Sequence, residues 1–266
     1  MEIEKSPLSG AIIALPVRLV TYDRRGLRRL GALVGTTVVD LPGVVGHPAF
    51  PSTMEALVSR PRGTVLDAAR TALERDDVKE WIVLGAKLLP PILPPSLGEQ
   101  DHKWIVAPEA EIPCPNGDGG LRFDLEVAAV IFRPKKPKLK PAQAKECIFG
   151  YTLMSYWASG EDFAASLGPC IVTADDFDDK TEVVVRVNDK EWSRGTLADA
   201  ETPFAEQIVK ASKTDELLPG EVFGSGTLGK AKNGTPRPGA VVEIKTEVIG
   251  ILRNRIGRQA RRRAAS

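Results

Sequence analysis

Asp124 and Glu126 stand one residue apart in an otherwise apolar run, RFDLEVAAVIF, residues 122–132. Along a strand, alternate side chains share a face. Asp124 and Glu126 therefore fall with Ala128 and Val130, while Phe123, Leu125, Val127, Ala129 and Ile131 take the reverse side. Both faces are too apolar for a strand with one side in water, so the pattern predicts a buried sheet with two carboxylates at its mouth. Carboxylates crowded there share a proton or a cation, because burial and mutual repulsion disfavour two bare charges. Two chemistries suit such a pair: Lewis-acid catalysis through a hard cation, or general acid–base catalysis by coupled carboxyl groups. The plain alternative is an exposed end of an antiparallel strand.

The remaining reactive residues are sparse. The chain has two histidines, His47 and His102, and three cysteines, Cys114, Cys147 and Cys170, with no C-x-x-C spacing. The expectation is reduced thiols in a cytoplasmic protein. His47, followed by a proline in VVGHPAF, reads as solvated. The segment GSGTLGK, 224–230, lacks the spacing and the strand–loop–helix setting of a phosphate-binding loop. A net charge of +1, with 42% hydrophobic and 27% charged residues in 266, gives no steering toward nucleic acid or membrane. No apolar run reaches the length of a membrane span. SGAIIALPVRLV, broken by Pro16 and Arg18, is not expected to be a signal peptide.

The elements that must position these residues fall in two textures. Residues 17–41 read as three short strands in an antiparallel meander, with turns at DRRG and VGTT. Helices are predicted over STMEALVSR, with Ser52 and Glu55 in capping-box register, over GTVLDAARTALERD, and over DVKEWIVLGAKLL with Asp77 and Glu80. Four prolines in LPPILPPSLGEQDHKW mark a linker. Beyond residue 105 strands dominate, with helices only at PAQAKEC and PFAEQIVKAS. The expected organisation is a small α+β domain over 1–88, a linker over 89–104, a β-rich domain over 105–252 and a solvated basic tail over 253–266. The lysine-rich loop RPKKPKLKP, 133–141, reads as a solvated connection.

Seven segments in order resemble the fumarylacetoacetate hydrolase superfamily. RLVTYDRRGLRRLGALVGTTVVDL is similar to its N-terminal module, FDLEVAAVI to its D-x-E-x-E-L-A-V-V strand, and IFGYTLMSYWAS to its G-Y-x-x-x-N-D-x-S-A strand. LGPCIVTADDF, RVNDKEW, LLPGEVFGSGTLG and GAVVEIKTEVIGIL match its later landmarks. The resemblance implies an α+β, β-rich fold: a rolled β-structure preceded by a small α+β domain, usually as a homodimer. It also implies chemistry on 1,3-dicarbonyl or 2-oxo acid substrates, with magnesium held by carboxylates. Carried over by position, Asp124 and Glu126 are two of those metal ligands. The third carboxylate is replaced, since the family's Asn-Asp becomes Ser155-Tyr156 and a neutral phenol is a poor magnesium ligand.

More of the family's equipment is altered. Its catalytic-histidine segment has no counterpart between LGEQDHKW and APEAEIP, and His102 is the one histidine near that place. Where relatives carry Arg and Lys, ASGEDFAAS offers Glu161 and Asp162. Three readings stay open. Magnesium persists weakly, with Glu161 or Asp162 as a third ligand. Alternatively no cofactor is bound, Asp124 and Glu126 share a proton, and Tyr156 donates to a developing oxyanion in a lyase, isomerase or cyclase reaction on a reactive carbonyl substrate. Or the chain only binds a ligand. Ser225 and Thr227 are candidate carboxylate-binding donors and Arg194 a candidate anion holder. Trp157 is a candidate substrate contact whose plain alternative, like that of Phe163, is the core.

Overall fold

The structure is a computed structural model that describes residues 16–95, 105–113, 121–132, 138–159, 161–229 and 235–257; the side chains of residues 62 and 161–163 fall outside that description. His102, part of the proline-rich linker, Cys114 and the basic tail from residue 258 lie outside the described residues.

The meander is β1 (Arg18–Arg24), β2 (Leu27–Val34) and β3 (Thr37–Asp40), followed by α1 (Leu41–Val45), α2 (Met54–Val58) and α3 (Arg62–Leu73). Then come β4 (Ile82–Val83), β5 (Leu88–Leu89), β6 (Ile105–Val106), β7 (Glu111–Ile112), β8 (Arg122–Phe123), β9 (Glu126–Ile131) and α4 (Pro141–Glu146). Two long strands, β10 (Ile148–Ser159) and β11 (Glu161–Thr173), precede β12 (Glu182–Val187) and β13 (Lys190–Thr196). The chain ends with α5 (Phe204–Thr214), β14 (Val222–Gly224), β15 (Val241–Thr246) and β16 (Gly250–Ile256).

Two sheets result among the described residues. The larger runs β14-β9-β10-β11-β1-β2-β3-β4, with β5 on β1, β6 on β11 and β8 on β10; the smaller runs β13-β12-β15-β16-β7. The meander thus continues the main sheet, Arg18 opposite Val172 and Leu19 opposite Ile171. The start of the proline-rich stretch is packed as well. β5 pairs with β1, Thr21 Oγ1 donates to the carbonyl of Pro91 at 2.5 Å, and Ile92 is fully buried.

The alternation read in residues 123–131 corresponds to the two faces of this sheet. Val127, Ala129 and Ile131 join a core with Val183, Val185, Val242 and Ile244 of the smaller sheet. Ala128 and Val130 join a second core with Leu41, Met54, Leu57, Leu66 and Ala69 from the helical segment. A strand apolar on both sides is what such a sandwiched position selects.

Local details depart from the expectations at two helices. The cap of α2 is Thr53, whose Oγ1 accepts from Ala56 N at 3.2 Å, not Ser52. Glu55 instead binds Arg28 at 3.1 Å and Leu93 N at 3.2 Å, tying the proline-rich stretch to the meander. The predicted helix over 77–89 is only a 3-10 turn, Asp76–Trp81, before β4. Gly85 takes a positive φ of 63°, and the free edge of β3 recruits the following residues, Val38 opposite Val83. Long-range pairing overrides the local helical spacing there.

Candidate functional site

β14 is the outermost strand of the larger sheet, with Val222, Phe223 and Gly224 opposite Val130, Ala129 and Ala128, and the chain beyond it stays against β9, Ser225 N donating to the Val127 carbonyl and Leu228 N to the Leu125 carbonyl, both at 2.9 Å. α5 lies over this edge. Gln207 Nε2 donates at 3.0 Å to the Gly224 carbonyl, a β14 acceptor without a strand beyond it. Between α5, the end of β14 and the starts of β9 and β10's last turn of ladder lies a hollow of about 840 Å³. Its floor holds Glu126, Tyr156, Glu221, Phe223 and Ser225; its rim carries Glu206 and Lys210 of α5.

Glu126 opens β9 and faces Met154 across the ladder to β10. Tyr156 is two residues further along the same face, a diagonal neighbour within reach of long side chains, about 7–8 Å between backbones. Both are buried, at 6% and 7% exposure. A glycine at 224 is what admits the Glu126 carboxylate, because a Cβ there would collide with its Oε2.

Asp124 requires a correction. It lies between β8 and β9, beyond the residues that β14 covers, and its side chain is exposed and does not line the hollow. Its backbone N–H donates to the Tyr156 carbonyl at 3.0 Å, so it pins the strand that presents Tyr156. A proton shared by two buried carboxylates is not what this geometry offers: one is buried and the other faces water.

Ser225 lines the hollow, but its hydroxyl serves the backbone. Oγ accepts from Val127 N at 3.1 Å and donates to the Gly226 carbonyl at 2.7 Å. Thr227 is exposed and away from the hollow. Trp157 points into the inter-sheet core, where Nε1 donates to Ser166 Oγ at 2.8 Å and the ring packs 5.5 Å from Phe123. Arg194, on the outer strand β13, is exposed and bound to Glu191 at 2.8 Å and to Glu182; these partners raise its pKa and occupy the fork that an anion would need. Neither Trp157 nor Arg194 lines the hollow. Residue types alone did not single out Glu221, Phe223, Gly224 and Gln207, although all but Gln207 lie inside the landmark LLPGEVFGSGTLG.

The family model described as "Fumarylacetoacetate (FAA) hydrolase C-terminal" matches residues 86–257. The chain belongs to the fumarylacetoacetate hydrolase family. Solved structures agree on the fold. A fumarylacetoacetate hydrolase from psychrophilic Exiguobacterium antarcticum superposes with a TM-score of 0.72 at 21% identity, covering 91% of this chain and 100% of that one. A maleylpyruvate hydrolase from Sphingobium sp. SYK-6, in complex with manganese (II) ion and pyruvate, gives 0.73 at 20% identity, over 91% and 100%. A 2-hydroxyhepta-2,4-diene-1,7-dioate isomerase from Mycobacterium marinum gives 0.66 at 23% identity, over 92% and 99%. No curated protein matches the chain.

The fumarylacetoacetate hydrolase family implies a divalent cation, and the donor set here fits one poorly. Of Asp124 and Glu126, the two metal ligands that the resemblance implies, only Glu126 lines the hollow, where Tyr156 also stands. Among the described residues, no three His, Cys, Asp or Glu side chains converge to hold a metal ion. The side chains of Glu161 and Asp162 lie outside the description. Hard cations such as magnesium draw their affinity from several oxygen anions at once; the floor offers buried Glu126 and Glu221 and the neutral Tyr156 phenol, with no third acidic side chain grouped with them among the described residues.

Proposed function

We propose that this chain is an enzyme of the fumarylacetoacetate hydrolase fold that works without a resident metal, as a lyase, isomerase or cyclase on a reactive carbonyl or β-dicarbonyl substrate. Glu126, as carboxylate, removes a proton from the carbon next to the carbonyl. The C–H electron pair moves into the carbonyl, leaving an enolate whose oxygen accepts a hydrogen bond from the Tyr156 phenol. Return of the proton to another atom completes a tautomerisation. Loss of a β-hydroxyl as water, taking the proton from Glu126, gives dehydration; attack of the enolate carbon on a second carbonyl of the same molecule, whose oxygen receives the π pair and that proton, gives ring closure. The observation that supports this reading is that Glu126 and Tyr156, both buried, share one face of the sheet and one hollow.

A second reading, a magnesium-dependent carbon–carbon hydrolase or decarboxylase of a 1,3-dicarbonyl or 2-oxo acid, draws on the fold shared with the manganese- and pyruvate-bound maleylpyruvate hydrolase. Deuterium exchange separates the two. With a chelator present, the protein should accelerate exchange at the acidic carbon of ethyl acetoacetate in D2O, followed by proton NMR. Glu126→Gln should lose that acceleration and Asp124→Asn should keep it. Equal rates for wild type and Glu126→Gln would reject Glu126 as the base.

A further inference from the structure

Gln207 holds its side-chain amide in one orientation beside the hollow. On α5 the residues Gln207, Lys210, Ala211 and Thr214 follow the spacing of a single helical face, and all four line the hollow. Phe204 and Ile208, on the neighbouring face, are buried in the core between the sheets and fix the helix there. Gln207 Nε2 donates to two backbone carbonyls, those of Thr202 and Gly224, each at 3.0 Å. A carbonyl oxygen can be served only by the amide's –NH2 end, which has two hydrogens, so both are committed and the amide cannot turn over. Oε1 is thereby held in place as an acceptor, and no described residue donates to it. Gly224 connects this group to the proposed base: its carbonyl takes the Gln207 amide, and the place of its missing Cβ borders the Glu126 carboxylate. Gln207 Nε2 and Glu126 Oε2 are thus about 8 Å apart at most, across one residue.

We propose that Gln207 determines substrate specificity by accepting a hydrogen bond from a neutral O–H or N–H group of the substrate, a role that rests on the proton-transfer reaction proposed for this hollow. In solvent, water donates to Oε1. A substrate that displaces this water without a donor of its own leaves the acceptor unpaired. The amide cannot compensate by rotating, because rotation would break both bonds to backbone. A site of this kind discriminates against the analogue that lacks the donor more than against a change of size. The amide is uncharged and its oxygen only accepts, so it pairs with a hydroxyl or an amide N–H and not with a carboxylate or an ether oxygen. Among the routes open to the enolate, dehydration is the one whose substrate carries such a hydroxyl at its β carbon, within a small molecule's length of Glu126.

Binding of matched ketones tests this without any turnover. The first pair is 4-hydroxy-2-butanone and 4-methoxy-2-butanone, which differ in the O–H donor. The second is acetoacetamide and N,N-dimethylacetoacetamide, which differ in the N–H donors. Each is titrated into the full chain, and the amide resonances of Gly224, Ser225 and Gly226 are followed by NMR. In at least one pair the donor-bearing compound should bind at least about threefold more tightly, and the pair that shows it tells hydroxyl from amide. Gln207→Met, similar in volume and without the acceptor, should abolish that preference with native circular dichroism, and Gln207→Leu gives the same reading should Met disturb the helix. Equal affinities within both pairs, no movement of the resonances, or a preference that survives in these variants would overturn the proposal. Equal deuterium exchange by wild type and Glu126→Gln, with the preference intact, would remove Glu126 as the base alone. Exchange that depends on Glu126, with no donor preference, would remove the role of Gln207 alone.

Discussion

Gly224 sits against Glu126 so closely that a Cβ on the glycine would overlap the carboxylate's Oε2 and come within 2.6 Å of Met154 Cε. The side chain absent at 224 is thus part of how the carboxylate is placed. Gly224→Ala should push Glu126 out of position, since the tips of Glu126 and Met154 give way more easily than backbone. The expected cost in stability is about 1–3 kcal/mol for overpacking, with the fold retained by circular dichroism. The exchange rate should fall at least about tenfold, as a small misplacement of a reacting group suffices for such losses.

Tyr156→Phe removes a hydrogen-bond donor while keeping the ring in the floor of the hollow. Loss of one oxyanion donor lowers rates by about a hundred- to a thousandfold, so a fall in exchange of at least tenfold is expected. Binding of a substrate analogue should change little. A catalyst loses rate with this substitution, whereas a protein that only binds shows an affinity change alone.

Trp157 and Arg194 should not affect turnover. Trp157→Phe deletes the Nε1 donor to Ser166 in a dry core, a loss of about 1–3 kcal/mol in urea unfolding. Arg194→Ala disrupts exposed pairs with Glu182 and Glu191, and the unfolding midpoint should stay where it is. A large fall in exchange for either variant, measured per folded molecule, would move the site away from the α5 hollow.

Cys170 gives a pH dependence. Its thiol is fully buried, donates to the Ile249 carbonyl at 3.1 Å, and burial pushes its pKa up from 9.0 to about 12. Between those values the folded protein keeps a proton that the unfolded chain releases. The folded state therefore binds more protons, and stability must decline as pH rises from 9 toward 12. Cys170→Ala should flatten this part of the stability–pH curve. In the native protein, iodoacetamide should leave Cys147 and Cys170, both buried, unlabelled until denaturant is added.

Much of the scaffold was legible because it depends on short-range patterning. The two-faced apolar alternation of residues 123–131 marked a sandwiched strand, and the turns at DRRG and VGTT delimited β1–β3. What escaped depends on partners far along the chain. Glu126 is buried against Gly224, far along the chain, while Asp124 two residues earlier is exposed, and no local pattern around 124 encodes that difference. The commitment of Ser225 Oγ to Val127 N and the turn of Trp157 toward Ser166 likewise arise from tertiary pairing. The places of Glu221 and Gly224 at the hollow depend on β14 lying beside β9. Which of Asp124 and Glu126 lies inside the hollow is a property of the fold.

The proposed role of buried Glu126 is to move protons with no divalent cation beside it. The most direct measurement is the rate of deuterium exchange into ethyl acetoacetate before chelation, after exhaustive chelation, and after addition of magnesium or manganese. An acceleration over buffer that is the same in all three states, and absent in Glu126→Gln, is the predicted result. A rate that falls to that of buffer on chelation and returns with the metal would contradict it.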